Sequence, residues 1–298
     1  MNIEEYISGL RVALAGADPA LVQDAVYDAE EYLHSEMASC EGDPVACFAG
    51  IVERYGTPEE VAAAYLDTEV TVARALKPPV ITAPRSPLGR FFGVVIDPRS
   101  YAALVYLLLS LVTGTVYFTL VTALLPTSLG LAPIGIGLLL LLVFFAMVRA
   151  ISLAEGRVVE SLLGVRMPRR PRSAVREGDL GDRIKYWLTD VRTWTSILYM
   201  VLQFPLGIIY FTIVVTALVI SASVVAYPIA QLFTDYPLVQ WGSYGYILQP
   251  WATPLVMAVG LLGFVATLHL CKGIGWLHAA YAKALLVGRY TDAPAGDQ

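Results

Sequence analysis

Two triplets, Tyr117-Phe118-Thr119 and Tyr210-Phe211-Thr212, set hydroxyl groups at matching places in strongly apolar sequence. A hydroxyl in apolar surroundings must find a partner, either on a neighbouring helix or on a ligand. Two readings are open. One is packing with a Tyr–Thr hydrogen bond between the two segments. The other is a small-molecule pocket lined by Tyr117, Thr119, Tyr210 and Thr212. Gly114 and Gly207 precede the tyrosines by three residues, on the same helix face, and let another helix approach closely. Pro205 predicts a kink in the second segment.

Other residue types that perform chemistry are sparse. Cys40 and Cys47 with His34 make a poor zinc pattern, because the spacing is wide and a fourth ligand is missing. Free, reduced cysteines are expected there, and Cys271 reads as a small buried packing residue. His269 and His278 stand alone near a membrane boundary and read as interfacial. No glycine-rich phosphate loop, G-x-S-x-G or H-E-x-x-H occurs. The expectation is therefore no catalytic residue, no metal, no cofactor and no enzyme.

The elements that hold these residues follow from composition. Of 298 residues, 57% are hydrophobic and 15% charged, well below the roughly 25% charged of soluble domains. Mean hydropathy is +0.63. Residues 1–77 carry fifteen Asp/Glu against four Lys/Arg, a net charge of −11. Beyond about residue 100, long stretches carry almost no charge. An acidic helical domain followed by a membrane domain is the reading, all-α throughout.

A helix needs about 20 apolar residues to cross a bilayer. Residues 101–125, 131–153, 195–219 and 252–277 qualify, giving four spans. Seven Lys/Arg precede the first span, Arg149 ends the second, nine lie from Arg157 to Arg192, and Lys272, Lys283 and Arg289 follow. The connections 126–130 and 221–250 hold none. The positive-inside rule therefore places both termini and the middle loop in the cytoplasm, as in a multi-pass inner-membrane protein. The start MNIEEYI lacks the basic region of a cleaved signal peptide.

At an offset of 93 residues the chain restates itself. Arg90 pairs with Arg183, Asp97 with Asp190, Arg99 with Arg192, Tyr106 with Tyr199 and Gly114 with Gly207. Related amphipathic tails, AEGRVVESLLGVR and HAAYAKALLVGR, follow the second and fourth spans. Two parallel repeats, each with two spans and interfacial helices, would be related by an axis along the membrane normal. The expected divisions are a helical domain at 1–77, a linker at 78–87, a first membrane repeat at 88–166, a basic loop at 167–180, a second repeat at 181–289 and a tail at 290–298. Asp97 and Asp190 read as helix N-caps. Arg99 and Arg192 are placed to reach lipid headgroups, with Tyr101 and Trp194 as belt aromatics. Arg169, Arg170 and Arg172 belong to a basic stretch that either meets anionic lipid or docks the acidic domain. The connection 221–250 is aromatic, with Asp235 its one charge. It reads as an interface belt or as an outer sensing loop.

In the first domain, Ile3, Tyr6, Ile7, Leu10 and Leu14 form one apolar stripe. Asp18-Pro19, Asp43-Pro44 and Thr57-Pro58-Glu59-Glu60 each open a helix. MNIEEYISGLRVAL, VQDAVYDAEEYL and especially YGTPEEVAAAYL resemble the small helical HAAS (DUF1700) signalling domain over about residues 1–70. DPRSYAALVYLLL, DVRTWTSILYMVL and SLLGVRMPRRP resemble the "putative sensor" membrane domain of bacteria and archaea over about 88–288. The resemblance implies signalling, since such helical domains tend to be encoded beside PadR-type transcription regulators.

The expected function is thus a non-enzymatic membrane sensor. It would relay a membrane or small hydrophobic signal to a cytoplasmic protein partner. A small transporter or channel of two parallel repeats is the alternative. Membrane lipid is an expected partner and homo-oligomerisation is open. Direct nucleic-acid binding is disfavoured by the acidic domain.

Overall fold

The structure, a computed structural model, describes residues 1–40, 42–76, 86–170, 185, 187–231, 233–234, 237, 239–241 and 244–287. All but the last two residues of the expected linker, the basic loop beyond Arg170 and the tail lie outside these. Nine α-helices are described: α1 Ile3–Ala13, α2 Pro19–Ala38, α3 Pro44–Tyr55, α4 Pro58–Leu76, α5 Pro87–Gly93, α6 Pro98–Gly130, α7 Ile136–Leu163, α8 Val191–Ala230 and α9 Thr253–Ala282. α9 runs into a π-helical turn, Lys283–Val287. The fold is all-α. A hairpin of three-residue strands, β1 Val239–Trp241 and β2 Tyr244–Tyr246, departs from that within the described residues of the 221–250 connection.

Two compact units emerge. One comprises 1–81, 120–199 and 279–298; the other comprises 82–119 and 200–278.

The first unit opens on helices that local chemistry starts. Asn2 Oδ1 accepts the Glu5 N–H at 2.8 Å, while Glu5 Oε2 accepts the Asn2 N–H at 3.0 Å, a reciprocal cap. Asp18 caps α2 and Asp43 caps α3, each followed by a proline at the first helical position. Gly56, at φ 104°, ends α3 in a conformation that a side chain would strain. Thr57 and Glu60 repeat the reciprocal cap for α4. Tyr6, Leu10, Leu14, Ala25, Leu33, Phe48 and Ile51 form the core of this helical domain. The Tyr6 hydroxyl donates to Gly56 O at 2.8 Å. Each large apolar side chain buried here is worth about 1.5–3 kcal/mol. One expectation is corrected: Cys40 and Cys47 are joined as a disulfide across the α2–α3 turn, with Cα atoms 6.5 Å apart. The turn brings two residues seven apart within bonding reach.

The second unit contains close helix approaches at glycines. A Cβ on Gly114 would lie 2.6 Å from Gln203 O, and one on Gly207 would lie 2.5 Å from Ser110 O. α6 and α8 therefore meet backbone to backbone. Farther along, a Cβ on Gly260 of α9 would lie 2.6 Å from Val225 Cγ2 of α8. Val94, Val265 and Leu268 form a small apolar cluster with Leu104 and Phe264.

Four stretches are long and apolar enough to cross a membrane: Pro98–Gly130, Ile136–Leu163, Val191–Ala230 and Pro250–Val287. The first, third and fourth contain the expected spans and extend past them, whereas the second starts at Ile136, five residues later than expected, and runs on to Leu163. α8 is continuous through Pro205 and Pro228, as membrane helices allow when neighbours meet the freed carbonyls.

Candidate functional site

The richest side-chain chemistry lies in the first unit, where α7 ends. Gly164 adopts the left-handed conformation and its N–H reaches Glu160 O, closing the helix. The chain then turns back, and Met167, fully buried, packs on Gly156. This return carries Arg166, Arg169 and Arg170 to the acidic faces of α2 and α4. Asp24 and Asp28 are one turn apart and share a helix face.

Arg166 is the hub. Its side chain is only 10% exposed, and its guanidinium lies 3.1 Å from Asp24 Oδ2, 3.4 Å from Glu160 Oε1 and 3.3 Å from Glu69 Oε2. The Glu69 contact is a charge pair without hydrogen-bond alignment. Asp24 Oδ1 also accepts the backbone N–H groups of Arg169 and Arg170, both at 2.8 Å. Arg169 pairs with Glu160 at 2.9 Å and Arg170 with Asp28 at 2.9 Å. Gln23 donates to Arg170 O, Tyr65 donates to Asp28, and Lys283 pairs with Asp18. Burial pushes the Asp24 carboxyl above the ordinary value, against the lowering from the Arg170 and Arg169 N–H groups and the Arg166 charge. The cluster joins the acidic helical domain to the end of an apolar helix through partners that leave few charges unmet.

Beside this cluster is a cleft of about 70 Å³. Gln23, Met167 and Pro168 line it together with Arg149, Ser152, Arg192 and Ser196. The Arg192 guanidinium donates to Val287 O at 2.6 Å.

Two buried tyrosines, paired by the 93-residue offset, take different partners. In the first unit Tyr199 donates to Glu155 Oε1 at 2.9 Å, and Glu155 is 1% exposed. Tyr281 stacks on Tyr199. In the second unit the Tyr106 hydroxyl is 2.6 Å from His278 Nε2, and Tyr210 is 3.4 Å from His278 Nδ1. His278 is fully buried, not interfacial, because two tyrosines satisfy its ring nitrogens.

The residues proposed from sequence fall as follows. Tyr117 is buried and Tyr210 half-buried, whereas Thr119 and Thr212 are exposed; the Thr119 hydroxyl donates to Thr115 O. The cleft described above is lined by none of these four. The Arg99 and Arg192 N–H groups bond Asp97 and Asp190 at 3.1 and 3.2 Å. Tyr101 donates to Val95 O and Trp194 to Leu188 O, both at 2.8 Å. These are the same contacts 93 residues apart. Arg169 and Arg170 engage carboxylates, and Arg172 lies outside the described residues. Sequence reasoning left out Arg166, Asp24, Glu155, Glu160 and His278 as site residues. A signal was present: Glu155 and Glu160 sit five apart in an amphipathic tail at the end of an apolar run, and Arg166 follows six later.

Against known proteins, the model of a family described as "Putative sensor" matches residues 106–286. No curated protein and no solved structure matches the chain.

Proposed function

Because the chain belongs to this sensor family, we propose that it is a non-enzymatic membrane signalling protein whose acidic helical domain reports the state of the membrane helices. The cluster around Arg166 carries this reading. It links Asp24 and Glu69 of the helical domain to Glu160 of α7, so a change at the end of α7 alters what holds the domain. Breaking one partner of a buried ion pair has a large effect, which suits a contact that must switch. The HAAS-like helical domain then presents its acidic surface to a cytoplasmic partner of complementary charge, such as a PadR-type regulator. Both termini lie in the cytoplasm of a multi-pass inner-membrane protein on this reading.

The test is co-purification from cells expressing the full chain. Arg166→Gln should change the amount of a bound cytoplasmic protein several-fold relative to the unaltered chain. Equal recovery from both would overturn the relay. A small transporter is the competing reading, favoured by the buried Glu155 and His278 beside apolar helices. Solute flux in proteoliposomes, lost in Glu155→Gln, would select it.

A further inference from the structure

We propose that the cleft between Gln23, Arg149 and Arg192 is a binding site for a phosphate-bearing anion, either a lipid headgroup or a soluble phosphate. The proposal supplies the stimulus for the sensor reading and rests on it only in that respect.

The donors come first. Arg149 of α7 and Arg192 of α8 both line the cleft. A guanidinium carries five N–H groups in a planar fork and binds phosphate oxygens two at a time. Ser196 supplies a hydroxyl. It is 8% exposed, lines the cleft, and its hydroxyl has no hydrogen-bond partner among the described residues. That hydroxyl is open to the cleft, where a ligand oxygen can reach it. Ser152 and Thr193 stand nearby. Their hydroxyls donate to Val148 O and Asp190 Oδ2, and one Arg192 N–H donates to Val287 O, so the groups offered to a phosphoryl oxygen are the remaining guanidinium N–H groups and the Ser196 hydroxyl.

Asp190 also lines the cleft and would repel an anion, but its carboxylate is occupied elsewhere. Oδ1 accepts the Arg192 N–H at 3.2 Å and Oδ2 the Thr193 hydroxyl at 3.4 Å, so it serves the start of α8. The volume, about 70 Å³, is several times what one water requires and suits a phosphate group without its acyl chains. Val148, Leu153 and Leu286 leave an apolar wall for whatever the phosphate is attached to.

Depth matters next. Arg149 falls where the apolar run of α7 gives way to polar sequence, and Arg192 just before the apolar run of α8 begins. Both positions flank membrane-crossing stretches, at the level of headgroup phosphates. Gln23 and Pro168 bring the helical domain and the Arg166 segment to the same cleft. An occupant would therefore touch the acidic domain and the membrane helices together.

The test uses the full chain in a neutral maltoside detergent. Dihexanoyl phosphatidylglycerol and, separately, inorganic phosphate are titrated while the melting temperature is followed by tryptophan fluorescence. Saturable stabilisation is expected. Arg149→Gln should weaken half-saturation about tenfold and Ser196→Ala several-fold, each judged against its own ligand-free melt. Arg157→Gln, outside the cleft, should leave it unchanged. Saturation by the lipid at lower concentration than phosphate assigns the headgroup; the reverse order assigns a soluble phosphate. No saturable shift with either, or equal half-saturation in the Arg149→Gln, Ser196→Ala and unaltered chains, overturns the site. Binding without any effect on partner co-purification would overturn the relay alone.

Discussion

In the first unit α2, α4 and α7 are joined through Arg166 and the carboxylates of Asp24, Glu69 and Glu160. In the second, α6 and α8 meet at Gly114 and Gly207, where backbone touches backbone. The same contrast marks the tyrosines 93 residues apart: Tyr199 binds a carboxylate and Tyr106 an imidazole. A charged cluster gains little net stability over an apolar one, yet loses much when one member goes. Close packing gains through many small contacts and tolerates no added atoms. One unit is thus built to respond to charge, the other to hold shape.

The largest expected effect tests that contrast directly. Arg166→Met leaves three carboxylates facing one another and should cost about 3–5 kcal/mol, read as a lowered melting temperature of the detergent-solubilised chain. A melt within a degree of the original would mean the cluster is solvated. Next, Tyr199→Phe should cost about 1.5–3 kcal/mol, because it strips a hydrogen bond from Glu155, whereas Tyr106→Phe should cost about 1. Equal losses would erase the distinction between the tyrosines. Gly114→Ala and Gly207→Ala each place a methyl against a carbonyl and should cost about 1–3 kcal/mol, with little dependence on salt. The smallest effect concerns Asp97. Burial would raise its carboxyl, but the Lys272 hydrogen bond and the Arg99 N–H hold it below the usual value. Its contribution is present above the unfolded value of about 3.9 and is lost as pH falls through the lower folded one. Asp97→Asn should remove that part of the acid sensitivity in melts taken between about pH 5 and 3.

Much of this architecture was legible because local chemistry writes it. Asp18-Pro19, Asp43-Pro44 and Thr57-Pro58-Glu59-Glu60 start helices where they were expected. Apolar runs disclosed all four membrane-length helices. Their ends were less legible, since α7 continues to Leu163 and α8 to Ala230 once tertiary partners offset polar and proline residues. The charge cluster was half visible: the basic stretch near Arg169 was read as lipid-facing or as docking the acidic domain. That Arg166 would be its centre depends on the left-handed turn at Gly164 and on Asp24, more than 140 residues away. The Cys40–Cys47 bond escaped because a reducing compartment, rather than turn geometry, guided the expectation.

The glycine crossing of α6 and α8 limits the movements open to them. Gly114 opposes the carbonyl four residues before Gly207, and Gly207 opposes the carbonyl four residues before Gly114. Sliding one helix along the other by about one turn, ~5.4 Å, carries Tyr117 or Tyr210, which share the glycine face, toward the contact, where no Cβ fits. Tilting about the crossing moves the helix ends while the glycines stay in place. The crossing is therefore a fulcrum: it admits tilt and opposes a piston stroke.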